Sequence, residues 1–201
     1  SAGLFGIVEE QGSIESLSVR GVVSVSDSAD TTTGGIVGIN HGTLINCQFT
    51  GVVTGDSEVG GIVGRNESEG TIDHSTARAI VTGKSSTGGI AGYNLGAITG
   101  CTNVGSINTE YPEASLDTDG FTAKMVDYIN NKMAAAADDA TNSVTNVATD
   151  TGGIAGRSSG MILTSVNTGT VGYEHIGYNV GGIVGRTDGL VSGCVNQGCV
   201  L

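Results

Sequence analysis

Four kinds of apolar position recur along the chain, separated by polar residues and glycine. Leu4, Ile36, Ile62, Ile90, Ile154 and Ile183 form one column when the copies are aligned. Ile14, Leu44, Ile72, Ile98, Ile162 and Val191 form a second. A third, Leu17, Cys47, Ser75, Cys101, Ser165 and Cys194, is small in all but one copy. Val23, Val53, Val81, Ile107, Val171 and Val200 make the fourth. Asn, Asp, Gly and Ser stand between the columns, and these residues permit sharp turns and left-handed backbone. Each copy therefore reads as three short strands separated by glycine turns. One or two inward side chains per strand bury too little for a copy to stand alone, so the copies must stack.

The register comes from a glycine pair that opens each copy. It falls at Gly34, Gly60, Gly88, Gly152 and Gly181, with a degenerate start at Ala2, so successive copies lie 32, 26, 28, 64 and 29 residues apart. Length varies mostly after the strand block, in polar stretches such as "TGDSEV" and "TGKSST". A core of about 21 residues has no room for a crossover helix. A propeller blade needs about 40 residues, and the Leu-Asn signature of a leucine-rich repeat is absent. The pattern predicts an all-β chain, a parallel β-solenoid of about six coils in one domain spanning 1–201. At about 4.8 Å per coil the rod would be roughly 29 Å long.

"GLFG" at Gly3 and "GGI[V/A]G" in the later copies resemble the GLUG repeat of bacterial cell-surface proteins. That repeat also occurs in non-catalytic regions of some secreted IgA-cleaving metallopeptidases. The following G-x-I-x-x-C-x-N-x-G-x-V pattern fits best in the copy from Gly88. The resemblance covers nearly everything except about residues 108–151. It implies a surface-displayed stalk or adhesion module.

The long copy contains an insertion at about 108–151. Phe121, Met125, Ile129 and Met133 repeat every four residues there, which predicts an amphipathic helix over about 119–137, capped by Asp117 or Asp119. Its apolar face would cover the solenoid flank or seek a partner. "DTDG" at Asp117 opens like a calcium loop, but Phe121 and Tyr128 stand where ligands are needed, so a helix cap is the better reading.

Charge narrows the partners. The formal net charge is −12, with 8 Lys+Arg against 20 Asp+Glu. Such a surface repels phosphate backbones and anionic headgroups, so neither nucleic acid nor a membrane surface is an expected partner. No run of about 18 apolar residues predicts a span, and the start carries no signal-peptide pattern. The end at "CVL", inside the sixth coil, marks the chain as a piece of a longer protein whose neighbouring domains are among its expected partners.

Candidate chemistry is sparse. GGIVG is no phosphate loop, because neither Lys-Ser/Thr nor a helix follows it. Cys47, Cys101, Cys194 and Cys199 lack C-x-x-C spacing, so no zinc is expected. Three share one column with a serine coil between each pair. Two coils span about 9.6 Å, beyond the roughly 7 Å a disulfide bridges, so all four are predicted free. His41, His74 and His175 pair with no nucleophile, and Asp56, Glu58, Glu67, Glu69 and Asp188 scatter through variable loops. No catalytic residue, metal or cofactor is expected.

One outward column differs: Ile7, Ile39, Arg65, Tyr93, Arg157 and Arg186. Arg157 and Arg186 fall on consecutive coils, about 5 Å apart. They either bind an anionic ligand, with Tyr93 beside them, or splay towards nearby acids. With aromatics at 4% and no Trp, a platform for sugar rings is not expected.

Two readings follow. The first is a non-catalytic structural or adhesive segment of a bacterial cell-surface or secreted protein, which spaces or presents other regions and meets a host or cell-surface protein or glycan. The second is a carbohydrate-binding or polysaccharide-degrading β-helix domain.

Overall fold

Leu44, Ile72 and Ile98 lie one above another on adjacent parallel strands, and the other columns stack in the same way. The computed structural model describes residues 1–25, 31–109, 149–172 and 178–201. They form an all-β parallel solenoid with four sides. Side one consists of Phe5–Val8, Val37–Asn40, Val63–Asn66, Ala91–Asn94, Ala155–Ser158 and Val184–Thr187. Side two runs from Ser13–Glu15 through Thr43–Ile45, Thr71–Asp73, Ala97–Thr99 and Met161–Leu163 to Leu190–Ser192. Side three begins with the long strands Ser18–Ser24, Gln48–Thr54 and Thr76–Thr82 and ends with short ones as far as Val195–Asn196. Side four holds Thr32–Gly34, Ser57–Gly60, Ser85–Gly88, Thr149–Gly152 and Tyr178–Gly181. The chain thus makes five complete turns and three sides of a sixth.

The fourth side corrects the expectation of three strands per copy. The polar stretches that looked like loops end in regular strand, because Ser57 pairs with Ser85, and Val59 with Thr87, in parallel register. Backbone pairing needs no apolar pattern, and these strands alternate too little to betray themselves. The long insertion also ends earlier than expected, since Thr149–Gly152 is already paired to Ser85–Gly88. It leaves the solenoid at the corner between sides three and four. The helix expected at about 119–137 lies outside the described residues, and no helix occurs among the described ones.

The four columns line the core. Ile36, Ile62, Ile90 and Ile154 are fully buried, and each donates its N–H to the carbonyl of the next at 2.9, 3.1 and 2.9 Å. Each such side chain contributes roughly 1.5–3 kcal/mol of burial. The small column also stacks as expected: Cys47 N–H donates to Ser75 Oγ at 3.1 Å, and Cys101 N–H to Ser165 Oγ at 3.2 Å. All four cysteines are free.

Burial pushes the Cys101 thiol up to about 12, and the Cys47 thiol is raised for the same reason. The thiolate is the reactive form. Native protein at pH 8 should therefore lose exposed Cys199 and half-buried Cys194 to a thiol reagent while Cys47 and Cys101 persist until unfolding. Mass mapping of the labelled peptides checks this, and early labelling of Cys101 would contradict it.

A second interior feature overturns a sequence expectation. Several asparagines assigned to turns lie fully buried in ladders. Asn40 Nδ2 donates to Asn66 Oδ1 at 2.8 Å, Asn66 to Asn94 at 2.9 Å, and Asn94 to Ser158 Oγ at 3.1 Å. A second ladder runs from Asn103 to Asn167 to Asn196 at 2.8 and 2.7 Å. Each side chain also closes its own turn, as Asn66 does on Gly70 O at 3.0 Å. A buried amide is tolerable only when its donors and acceptors are used. Stacked identical amides achieve that along the axis.

Two buried hydroxyls are not satisfied. Among the described residues Thr33 Oγ1 and Thr87 Oγ1 have no partner, whereas Thr151 in the same column accepts from Asn108 Nδ2 at 3.0 Å. Valine already fills this column at Val59 and Val180. Thr87→Val should therefore stabilise the protein by about 1 kcal/mol, because it removes an unpaired hydroxyl at constant shape. A lower melting temperature in thermal denaturation would contradict this.

Candidate functional site

The odd outward column stands on side one, and its chemistry is set by the corner it shares with side four. Parallel register places Arg65 beside Tyr93, Tyr93 beside Arg157, and Arg157 beside Arg186. The Arg65 guanidinium lies 5.0 Å from the Tyr93 ring centre and that of Arg157 5.1 Å, so the ring is stacked between two cations. Tyr93 OH is 3.2 Å from Ser159 Oγ, which fixes the ring plane.

Facing this column, side four presents Glu58, Ser86, Asp150 and Asn179. All four adopt left-handed backbone, with φ of 47°, 49°, 53° and 54°. Each is skipped in the strand pairing, and Ser86 and Asp150 are buried at the corner. Each stands seven positions before its neighbour in the odd column. Glu58 precedes Arg65, Ser86 precedes Tyr93, and Asp150 precedes Arg157. This spacing is visible in the sequence, but the sequence reading had no fourth side to attach it to. Glu58, Ser85 and Ser86 were consequently missed, and Arg65 was seen in the column but not taken as a site residue.

The coils use the corner differently. In one, Arg65 is held by two carboxylates, Nη1 to Glu58 Oε1 at 2.8 Å and Nε to Glu67 Oε1 at 2.7 Å. Burial raises the Glu58 pKa above the usual carboxylate range even though Arg65 pulls the other way. Two coils on, Asp150 accepts from Asn179 Nδ2 at 2.7 Å instead, and Arg157 turns onto Tyr93. Neither Arg157 nor Arg186 forms an ion pair with a described residue. Exposed Asp188 is held below its usual range by the Ser159 hydroxyl, with Arg157 and Arg186 adding to the effect.

Between these coils the small Ser85 and Ser86 leave a groove of about 440 Å³, walled by Glu58, Arg65, Tyr93 and Arg157. Of the three residues singled out from the sequence, Tyr93 and Arg157 line this groove. Arg186 follows Arg157 in register but stands outside it. His74 is exposed and paired through Nδ1 with Asp73 at 2.9 Å; His175 lies outside the described residues. Among the described residues no three His, Cys, Asp or Glu side chains gather as metal ligands.

Residues 55–82 match the family model of the GLUG motif. That turn is a GLUG motif. It spans one full circuit, with Ser57–Gly60, Val63–Asn66, Thr71–Asp73 and Thr76–Thr82 giving one strand to each side. Glu58 and Arg65 of the site lie within the matched turn. Halomucin of Haloquadratum walsbyi is 35% identical over 77 residues, which is 38% of this chain and 1% of halomucin. The chain therefore spans a very small part of that relative. No solved structure matches at a significant level.

Proposed function

We propose that the chain is a non-catalytic structural or adhesive repeat segment of a bacterial cell-surface or secreted protein, where it spaces or presents other regions. The observation that carries this reading is the interchangeability of the coils. Aliphatic columns and amide ladders continue from coil to coil, so turns can be added without redesigning a core. The GLUG motif and the likeness to halomucin support a surface repeat. Its partners on this reading are the neighbouring regions of its own chain and a host or cell-surface protein or glycan.

Antibodies raised against the chain test the location. Intact source cells or their culture medium should carry the antigen. Labelling confined to permeabilised cells would contradict the proposal. Incubation with acidic and neutral polysaccharides, with and without calcium, should release no shortened product. Turnover would favour a polysaccharide-degrading domain instead.

A further inference from the structure

We infer that the groove at Tyr93 is a binding site for an acidic sugar residue, one carrying a carboxylate and several hydroxyls on a ring. This goes beyond a spacing role, which needs no ligand.

The argument starts from what the groove leaves unsatisfied. Arg157 has its guanidinium plane against Tyr93, and among the described residues no carboxylate is paired with it. Stacking fixes the plane and leaves the edge, where the N–H donors lie, free to take a carboxylate in the two-pronged fashion guanidinium favours. Around that edge the Ser57, Ser85 and Ser86 hydroxyls have no partner among the described residues. Glu58 binds Arg65 through Oε1 only, so Oε2 remains an acceptor.

This set of groups separates ligand classes. A bare inorganic anion would use Arg157 but not the three hydroxyls, and it would meet the Glu58 carboxylate. A flat aromatic ligand has no face to stack on, since both faces of Tyr93 are already covered by guanidinium groups. A polyhydroxylated ring with one carboxylate matches donor to acceptor throughout: its acid on Arg157, its hydroxyls on the serines and on Glu58. A cavity of about 440 Å³ lies within the range of small-ligand sites. The groove runs across adjacent coils, because Ser57 and Ser85 are register partners and both line it.

The net charge of −12 opposes any anionic ligand at long range. At about 0.15 M salt that repulsion is screened beyond about 8 Å, so contact chemistry decides.

Trigalacturonate, its methyl ester and maltotriose are suitable probes, titrated into the folded chain at that salt by calorimetry or amide-resonance shifts. Trigalacturonate should bind. The ester and maltotriose should bind at least about tenfold more weakly, which is the loss expected for a charge-assisted pair of hydrogen bonds. Arg157→Gln should weaken trigalacturonate by the same factor, and Ser85→Phe, which fills the groove, should abolish binding. Arg20→Gln removes one positive charge from exposed side three and should leave affinity unchanged within about twofold, a shift of under half a kcal/mol. Circular dichroism and melting temperature confirm that each variant is folded. Absence of trigalacturonate binding, equal affinity for acid and ester, or an Arg157→Gln effect no larger than that of Arg20→Gln would each overturn the inference. Those outcomes leave the surface-repeat proposal standing, since cell labelling tests it independently.

Discussion

Gly92→Val should prevent the protein from folding, whereas Gly21→Ala should be almost silent. Both are strand glycines, and neither has a positive φ. They differ in what a side chain would meet. A Cβ at Gly92 would overlap the carbonyl carbon of Glu58 and the nitrogen of Val59. These are backbone atoms of side four in the preceding coil, so no rotamer change relieves the clash. Valine adds two methyl groups at the same point. The coil would have to open along its axis, which breaks the side-one and side-four ladders together. A loss of more than about 4 kcal/mol is expected, at the far end of what single substitutions do. A Cβ at Gly21 meets nothing within 4 Å, so that change should stay within about 0.5 kcal/mol. Urea denaturation of both variants measures the contrast, and a stable Gly92→Val protein would refute the close packing of the two sides.

Asn66→Asp should be the second most damaging change, and its effect should depend on pH. The substitution keeps shape but replaces a donor with an acceptor in the middle of a fully buried ladder. Asn66 Nδ2 now serves Asn94 Oδ1 and Gly70 O at 2.9 and 3.0 Å. An ionised aspartate there would point oxygen at oxygen twice, with only the Asn40 amide, at 2.8 Å, to offset it. Removing one partner of a buried polar network costs about 1–3 kcal/mol for each stranded group, and more when a charge is buried. Both effects disfavour the ionised form, so the folded-state pKa of the new carboxyl would lie above its unfolded value. The contribution of that group to stability is then fully present below the unfolded pKa and is lost as pH rises through the folded one. The variant should accordingly be severely destabilised at pH 7 and recover towards pH 4, where a protonated acid can donate again. Equal destabilisation at both pH values would mean that hydrogen bonding along the ladder is not what this position needs.

The columns Ile36–Ile62–Ile90 and Leu44–Ile72–Ile98 were legible in the sequence because burial demands the same apolar residue at the same place in every coil. The small column Cys47–Ser75–Cys101 was legible for the same reason, since space at that point is limited in each turn. The glycine pair was legible too: a Cβ at Gly89 would overlap the carbonyl of Gly153 in the next coil, so substitution there is closed in every copy. Side four was not legible. Strands such as Ser85–Gly88 are held by backbone bonds, and "SSTG" carries no apolar alternation to announce them. The inward role of Asn66 and Asn167 was hidden because asparagine is equally at home in a turn, and only the stacked register reveals the amide partners. The site inherited both gaps. Tyr93 and Arg157 stood out by chemistry, but Glu58 and Ser86 face them from the side that the sequence did not show.

In-register stacking of parallel coils underlies the fold, the ladders and the groove alike, and cross-linking tests it most directly. Thr43, Thr71 and Ala97 are part-exposed positions on three successive coils of side two, with Thr71 paired to each of the other two. With half-buried Cys194 and exposed Cys199 changed to serine, cysteine pairs can be placed at 43 and 71, at 71 and 97, or at 43 and 97. Adjacent coils bring Cα atoms to about 4.8 Å, inside the disulfide range, and two coils to about 9.6 Å, outside it. Mild oxidation and peptide mapping should find the first two bridges and not the third. A bridge between positions 43 and 97, with neither of the others formed, would contradict the stacked solenoid.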